Sequence, residues 1–482
     1  MIAIAKKSKN NKPTLRFVGM NAEDVTGSAQ IISYRNKNVM LDFGMYQCAN
    51  KLKMYQVNSR NLEFSVKSIT EIVISHALHL DHYCMIPRLF KLGCEAKIYV
   101  PKDTIVFWKT LFKDNLKIME KDLEYLKKAY KKSYEPLYTE VDVDNMMENV
   151  IECEFDEKIK INKYMEIRYR DAYHILNSGQ IELFIRDENL RKKVLYTGDI
   201  GNTCIPDKPF LRPFFPIENA DIVIGESTYA MKIKPANQKT KDKDIEKLET
   251  TIREVCLEKK RGNVIFSSFA TQRTQELLVE LYNLFGEDEN FHVPIVIDSP
   301  LACSVIRLFK EVLDGEDKEL MERILAWKNL SLISEWKDSE TVLYDKTPKV
   351  IIACSGFMEA GRIRNYLKVN LPNPDSTLVT IGYSSPESLA SLIKSDKKKT
   401  IKIDDEEVLN KAKIVSLNSF TSHMQHESLL DYYSNINCNS IFLVHGELTN
   451  RCMFANLLEE KCRNKCKTTK IFIGTRGTDF KF

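Results

Sequence analysis

Short apolar runs, each ended by a glycine or a polar residue, recur through the first part of the chain. Residues 14–19, 26–33 and 38–44 have this pattern and predict strands. Short strands joined by tight turns, before any long helix, favour a sheet packed against helices. The third run contains Asp42, for which two roles stay open: support of a metal site from behind its ligands, or a turn-forming carboxylate.

Two other patterns occupy the middle of the chain. Residues 102–132 are rich in Lys, Glu and Leu and contain neither Gly nor Pro, which predicts a long helix. Residues 264–269, 295–300 and 350–356 are largely apolar runs followed by helical patterns. Such runs predict parallel strands that are covered on both faces.

The densest chemistry of the chain lies just after residues 72–74, which predict a short buried strand. Three of the eight histidines, His76, His79 and His82, stand here with Asp81. Neutral imidazole and carboxylate are ligands that zinc prefers, and two adjacent metals need about six of them. We favour a metal site over a polar loop of surface histidines, since Asp and His side by side after another His are rare by chance.

Composition narrows the class of protein. A chain of 482 residues predicts two or three domains, and 43% hydrophobic with 29% charged residues is typical of a soluble globular protein. No apolar run is long enough to span a bilayer and the first residues lack the order of a signal peptide, so we expect a cytoplasmic enzyme. Twelve scattered cysteines predict reduced thiols, and the net charge of +4 does not indicate a nucleic-acid binder.

Further motifs follow the His cluster in a recognisable order. His174 and Asp199 each stand where a strand-like segment runs into a loop. Later motifs lie at residues 225–229, 269–276, 298–300, 355–362, 420–423 and 444–447. With residues 19–28, this series resembles the metallo-β-lactamase-fold nucleases of the β-CASP group. The chain is similar to bacterial ribonuclease J-like proteins and to the nuclease subunit of the cleavage and polyadenylation machinery.

The resemblance implies an α/β fold: a metallo-β-lactamase αββα sandwich with an inserted parallel-sheet β-CASP domain. Residues 1–208 would form the first part of the metallo-β-lactamase domain, residues 209–408 the β-CASP domain, and residues 409–482 the C-terminal part of the metallo-β-lactamase domain. The substrate would pass between the two domains.

The resemblance also implies two zinc ions per chain. One ion would be held by His79, His174 and Asp199, and the other by Asp81, His82, His445 and the bridging Asp199. Two such metals activate water and stabilise the attacking and leaving oxygens at phosphorus. The implied reaction is hydrolysis of single-stranded RNA, by endonuclease cleavage, 5′ exonuclease cleavage or both, in RNA processing or decay.

Other residues would assist this reaction. Asp81 and Asp199 would be catalytic through the metals, and Glu226 would orient His423, which could then protonate the departing ribose oxygen. In the insertion, phosphate contacts are expected through a hydroxyl, a backbone amide and a guanidinium, those of Ser355, Gly356 and Arg362. A helix cap is an equal alternative for Ser355. Single-stranded RNA is the expected binding partner, and no association with a membrane is expected. Because relatives often dimerise, we also expect a homodimer.

The spacing within the His cluster departs from the family pattern, which has one residue between its first two histidines. Here Ala77 and Leu78 separate His76 from His79. An extended loop would turn His76 away and bring Ala77 to the ligand position, whereas a bulge or a turn of helix would restore His76. Both alternatives stay open.

Glycine is also missing from two family positions. Relatives usually have glycine around the motif that contains His174, where this chain has Tyr173 and Asn177. The loss of glycine restricts the backbone conformations available there.

Three functions compete. We favour the ribonuclease over a catalytically impaired β-CASP paralogue that binds RNA or a partner, and over a small-molecule metallo-hydrolase such as a thioesterase or lactonase. Displacement of His76 from the metal site would support the impaired paralogue. Retention of Asp199, Glu226, His423 and His445 opposes it, since a binding module need not keep a bridging ligand and an acid pair. The long inserted domain and the pair of Glu226 and His423 oppose the small-molecule metallo-hydrolase.

Overall fold

The chain divides into two compact units in a computed structural model that describes residues 12–231, 236–382, 388–395 and 399–482. The first unit comprises Met1–Gly201, Arg212–Ile233 and His423–Phe482, and the second comprises Asn202–Leu211 and Lys234–Ser422.

The strands are, in chain order, β1 (Thr14–Phe17), β2 (Gln30–Tyr34), β3 (Lys37–Leu41), β4 (Glu71–Val73), β5 (Lys97–Pro101), β6 (Val150–Cys153), β7 (Ile159–Lys160), β8 (Met165–Asp171), β9 (Gly179–Asp187), β10 (Leu190–Tyr196), β11 (Ile222–Glu226), β12 (Val264–Ser267), β13 (Ile295–Asp298), β14 (Leu330–Ile333), β15 (Val350–Ala353), β16 (Thr377–Ile381), β17 (Thr400–Ile403), β18 (Glu406–Leu409), β19 (Lys413–Leu417), β20 (Ser440–Val444), β21 (Lys470–Ile473) and β22 (Asp479–Lys481). The α-helices are α1 (Lys51–Ser59), α2 (Leu80–Tyr83), α3 (Ile86–Lys91), α4 (Thr104–Tyr130), α5 (Glu140–Met147), α6 (Gln238–Ile252), α7 (Arg273–Phe285), α8 (Pro300–Val312), α9 (Gly315–Leu325), α10 (Trp336–Tyr344), α11 (Ile363–Asn370), α12 (Leu389–Lys394), α13 (His426–Asn435) and α14 (Leu448–Asn464).

Two seven-stranded sheets form the centre of the first unit. Their strand orders are β22-β1-β2-β3-β4-β5-β6 and β21-β20-β11-β10-β9-β8-β7. Alternate residues of β8 are buried, as expected of a strand with one covered face, and they join residues of the other sheet in one hydrophobic core. Helices α13 and α14 cover the far face of the second sheet at β11, β20 and β21, and α4 packs beside β6 of the first sheet. The predicted αββα sandwich is confirmed.

The second unit is built on a parallel sheet of order β14-β13-β15-β12-β16-β19. Strands β12, β13 and β15 are completely buried. They are the strands predicted at residues 264–269, 295–300 and 350–356, so the inserted parallel sheet is confirmed.

All three early strands are shorter than predicted: β1 ends two residues early, at Phe17, and β2 and β3 differ more. Strand β2 begins only at Gln30, because the N–H of Ser28 donates to the Asp81 carbonyl at 2.8 Å and not to a neighbouring strand. Strand β3 ends at Leu41, and Asp42 follows in a left-handed conformation with φ 57°. Both departures occur where the chain meets the His cluster. The long helix predicted at 102–132 is confirmed as α4.

The topology brings the ligand-type residues to one edge of the sandwich. Strands β10, β11 and β20 are mutually parallel, and their carboxyl ends carry Asp199, Glu226 and His445. Strand β4 lies in the parallel half of the first sheet and leads into His76. Carboxyl ends of parallel strands lie at the same edge of a sheet, where α/β folds place binding sites. Among the helices of the described residues, none is long and apolar enough to cross a bilayer.

Candidate metal centre

The extra residue in the His cluster is accommodated by a buried bend. Residues 77–79 bend, and α2 begins at Leu80. Ala77 and Leu78 are each only 5% exposed, and the indole Nε1–H of Trp108 on α4 donates to the Ala77 carbonyl at 2.9 Å. The loop is therefore not extended, and His76 turns into the same cluster as His79. This is the second of the two alternatives left open by the sequence.

One group of ligand atoms faces Asp199 Oδ2. His76 Nε2 lies 3.8 Å from this oxygen and His174 Nε2 lies 3.6 Å from it. His79 Nδ1 lies 3.4 Å from His174 Nε2. One ligand atom from each of these four residues lies within 4.8 Å of those of the others.

A second group faces the other oxygen of the same carboxylate. Asp199 Oδ1 lies 3.4 Å from His82 Nε2 and 3.5 Å from His445 Nε2. Asp81 Oδ2 completes the group, 3.3 Å from His445 Nε2 and 3.8 Å from His82 Nε2. Asp199 thus stands between two sets of candidate ligands and presents one oxygen to each.

Zinc fits these residues. Ligands bound at about 2.0–2.1 Å to a tetrahedral zinc are about 3.3 Å apart, which is close to the spacings here. In addition, Nε2 of His76, Nε2 of His82 and Oδ1 of Asp199 are buried, and none has a hydrogen-bond partner among the described residues. Buried polar atoms are normally satisfied, so these three unsatisfied atoms, one in the first group and two in the second, indicate that bound cations complete the cluster.

Burial keeps three of the imidazoles neutral. It lowers the pKa of His76 and of His174 well below the ordinary value, and it lowers the pKa of His79 to about 4. Neutral imidazole is the form that binds a metal, so these ligands need not lose a proton near neutral pH.

Charge pairing dominates in the second group. Burial alone would raise the pKa of the Asp199 carboxyl, but the imidazoles of His445 and His82 hold it well below its ordinary value. Burial would likewise lower the pKa of His82, but the carboxylates of Asp199 and Asp81 raise it well above the ordinary value. The carboxylates therefore attract positive charge, which a bound cation would supply.

Hydrogen bonds from behind orient these ligands. Asp42 Oδ2 accepts from His82 Nδ1 at 2.7 Å and from the Tyr196 hydroxyl at 2.7 Å. Thr228 Oγ1 lies 2.8 Å from His445 Nδ1. Each contact engages Nδ1 and leaves Nε2 directed at the carboxylates. Asp42 thus has the position that the supporting role considered for it requires, and that role stays a prediction. The sequence did not indicate Tyr196 or Thr228 as supporting residues. Tyr196 lies among strand residues, and Thr228 lies in a family motif that assigns it no role.

Glu226 and His423 form a pair beside the ligands. The His423 Nδ1–H donates to Glu226 Oε1 at 3.0 Å, while the backbone N–H groups of Ile200 and Thr228 donate to the two oxygens of that carboxylate. Glu226 is buried, and the His423 ring centroid lies 4.5 Å from that of His174. The paired imidazole is therefore held next to the candidate metal centre.

Both residues at the positions of the missing glycines have left-handed backbone conformations. Tyr173 has φ 59° and Asn177 has φ 55°, both in the left-handed region that favours glycine. Asn177 also donates from its amide to the Lys102 carbonyl at 3.0 Å. Asn tolerates this conformation well and Tyr poorly, so any strain is concentrated at Tyr173.

The three predicted phosphate contacts belong to the second unit. Ser267 Oγ donates to the carbonyls of Ser355 at 2.8 Å and Gly356 at 2.9 Å. The Arg362 guanidinium donates to Asp298 Oδ1 at 2.5 Å, and also to the Ser334 carbonyl. Arg362 thus has a structural contact within this unit, and phosphate binding by these residues stays a prediction.

The fold and the centre define a metal-dependent hydrolase of the metallo-β-lactamase type. Comparison with family models refines this class. The Beta-Casp domain matches residues 274–393, and the Zn-dependent metallo-hydrolase RNA specificity domain matches residues 408–468.

Curated relatives match along nearly the whole chain. The chain is 28% identical over 435 residues to Ribonuclease TTHA0252 of Thermus thermophilus, covering 88% of this chain and 91% of that protein. It is 29% identical over 472 residues to an RNase J-like protein of Methanocaldococcus jannaschii, covering 96% and 98%. It is 25% identical to Endoribonuclease ysh1 of Schizosaccharomyces pombe, covering 95% of this chain and 57% of that protein.

A solved structure shares the fold. A protein of unknown function from Enterococcus faecalis V583 has a TM-score of 0.54 with 14% identity, covering 98% of this chain and all of that one. The two matched domains and these relatives confirm the resemblance to the β-CASP group of metallo-β-lactamase-fold nucleases.

Proposed function

We propose that this protein is a zinc-dependent ribonuclease that hydrolyses phosphodiester bonds of single-stranded RNA. The observation that carries the proposal is the Asp199 carboxylate, whose two oxygens each face a separate group of ligand atoms. The relatives named as ribonucleases support RNA as the substrate.

The proposal assigns a ligand role to seven residues. One zinc would be held by His76, His79, His174 and Asp199, and the other by Asp81, His82, His445 and Asp199. Two zinc ions bound there would supply Lewis-acid activation of water and of the scissile phosphate. Asp81 and Asp199 would be catalytic in this sense, because Asp81 would hold one of the ions and Asp199 would hold both.

Glu226 and His423 would deliver the proton. With Nδ1–H donated to Glu226, the opposite ring nitrogen, Nε2, carries the transferable proton of the imidazolium. The buried carboxylate stabilises that cation. His423 would protonate the departing ribose oxygen, which leaves a 5′-phosphate on the downstream fragment.

Some finer points are also proposals. Phosphate contacts at Ser355, Gly356 and Arg362, the division into residues 1–208, 209–408 and 409–482, a homodimer and a cytoplasmic location are carried forward from the sequence. Light scattering on the purified chain tests the dimer, and cell fractionation tests the location.

Metal content paired with RNA digestion tests the central proposal. Protein purified without chelator should contain about two zinc ions per chain by mass spectrometry, and should cut a labelled single-stranded RNA. Asp199→Ala should lose bound zinc and should no longer cleave the RNA. His76→Ala should lose one zinc ion. Asp338→Ala, at an exposed position of α10, is the control and should behave as wild type.

One or no zinc ion per chain, with RNA bound but uncut, would overturn the ribonuclease in favour of the impaired paralogue. Circular dichroism of each variant checks that loss of cleavage is not loss of fold.

A further inference from the structure

The outer face of β8, β9 and β10 carries cationic side chains around an aromatic ring. Phe184 on β9 pairs across the sheet with Lys193 of β10 and Glu166 of β8, and Arg168 pairs with Glu182. Residues that pair across antiparallel strands point to the same face. The residues between them in β8 and β9 are buried in the sandwich core, so this row faces outward. We call it the basic sheet face.

Four cations surround the Phe184 ring. Lys158 Nζ lies 4.7 Å from the ring centroid and Lys193 Nζ lies 5.8 Å from it. The guanidinium carbons of Arg168 and Arg186 each lie 5.6 Å from the centroid. The ring itself is only partly buried.

A second ring continues the same face. Phe215 is 41% exposed, and the guanidinium carbon of Arg170 lies 4.1 Å from its centroid. Arg168 and Arg170 both donate from Nε to Glu182 Oε2, at 2.6 and 3.3 Å. Glu182 Oε1 also pairs with Lys193 Nζ at 2.5 Å, so one buried carboxylate holds an ammonium and two guanidinium groups, each guanidinium beside its own aromatic ring.

The face has an excess of positive charge. An open depression of about 510 Å³ is lined by Phe184, four basic and two acidic side chains. The two acids are already paired, Asp187 with Arg35 at 2.6 Å and Asp221 with Lys192 at 2.9 Å. Lys158 and Arg191 are exposed and, within the described part of the chain, have no carboxylate at ion-pair distance. These cations are available to a polyanion.

We propose that the basic sheet face is a second RNA-binding surface, separate from the metal centre. Exposed aromatic rings and guanidinium planes stack on unpaired bases, and free lysine and arginine side chains contact phosphates. An acidic peptide would match the charges but not the two rings, so single-stranded RNA is the better fit. The proposal rests on the ribonuclease function. It adds a surface that would recognise the RNA substrate away from the site of cleavage.

Charge reversal tests the surface with little risk to the fold. The test pair is Lys158→Glu with Arg191→Glu, and the matched control is Lys127→Glu with Lys128→Glu, two exposed positions of α4. Binding of a fluorescent single-stranded RNA of about 30 nucleotides is measured by anisotropy, with Asp199→Ala present in every protein so that the RNA stays intact.

The test pair should weaken binding about tenfold and reduce the slope of log affinity against log salt by about 1.4, the value for two phosphate contacts on a single strand. Phe215→Ala should weaken binding several-fold at an unchanged salt slope, because it removes stacking and no charge. In the enzyme with Asp199 intact, the test pair should raise KM for the long RNA at unchanged kcat, and should leave cleavage of a hexanucleotide unchanged.

Unchanged affinity for the test pair overturns the proposal, even if an acidic peptide is found to bind there. Equal weakening by the α4 control pair also overturns it, because the effect would then be general electrostatics. Failure of the ribonuclease proposal has a different result: the enzyme with Asp199 intact would bind the long RNA without cutting it.

Discussion

The Nδ1–H of His82 donates to the Oδ2 of Asp42 at 2.7 Å, although the two residues are forty positions apart and neither is exposed. Asp42 stands in a left-handed turn at the end of β3 and also accepts from the N–H and the hydroxyl of Ser75, at 2.7 Å each. A carboxylate behind a ligand fixes the tautomer and the orientation of the imidazole. The first sheet thereby controls the geometry of the metal centre.

Asp42→Asn should lower zinc affinity about 10- to 100-fold, because the amide NH₂ group places a donor where the carboxylate only accepts. Competition with a coloured chelator measures the affinity. Asp298→Asn, at a buried carboxylate of the second unit, is the control and should cost stability without changing zinc affinity. Wild-type affinity in Asp42→Asn would contradict the role assigned to this residue.

Glu226→Gln should reduce kcat about 100- to 10,000-fold, because a neutral amide cannot stabilise the His423 imidazolium. KM and zinc content should stay unchanged, since Glu226 belongs to neither of the proposed ligand sets. Single-turnover digestion of labelled RNA measures the chemical step. Glu340→Gln, at an exposed position, should have no effect. A loss of zinc in Glu226→Gln would show instead that the carboxylate is a ligand.

Gly44→Ala should disrupt the second group of ligands. A Cβ at this position would lie 1.7 Å from the Asp81 carbonyl oxygen and 2.4 Å from the His82 nitrogen, and backbone atoms cannot rotate away. We expect loss of zinc and a fall of about 3 kcal/mol in the free energy of unfolding. Mass spectrometry and urea unfolding measure the two effects.

Gly315→Ala is the control for this substitution. A Cβ there meets nothing within 4 Å, but φ is +54°. It should cost about 1 kcal/mol through backbone strain and leave the zinc content unchanged. Equal zinc contents in the two variants would refute the contact argument.

Lys208→Met should stabilise the protein by an amount that depends on pH. Burial lowers the pKa of Lys208 from 10.5 to about 7, partly against the attraction of Glu276. Between pH 7 and pH 10.5 the unfolded chain binds more protons than the folded chain. The contribution of Lys208 to the wild-type free energy of unfolding therefore increases as pH rises through this range. Below pH 7 both states are protonated, and the penalty for burying the charge is fully present.

The gain from Lys208→Met should therefore be a few kcal/mol at pH 7 and should shrink towards pH 10. Urea unfolding of both proteins across this range measures the difference. Parallel curves would contradict the lowered pKa.

The sequence predicted the parallel strands β12, β13 and β15 and the long helix α4, because continuous apolar runs and uninterrupted helical patterns depend on local periodicity. It also indicated the resemblance to the β-CASP group, since many short motifs occur in one order. The limits of β2 and β3 could not be predicted this way. Residues 26–29 and 42–44 have strand-like patterns, but the backbone N–H groups of Ser28 and Phe43 donate to the carbonyls of Asp81 and His82.

The identity of the ligand-type residues was thus determined by the sequence alone, because only certain side chains have the chemistry to bind zinc. Whether His76 joins them was decided by the tertiary structure. The spacing of His76 and His79 allowed two loop conformations, and the choice depends on Trp108, which lies some thirty residues later on a different element and binds the Ala77 carbonyl. A contact of that kind exists only after the helix has packed, so no local pattern in the loop could contain it.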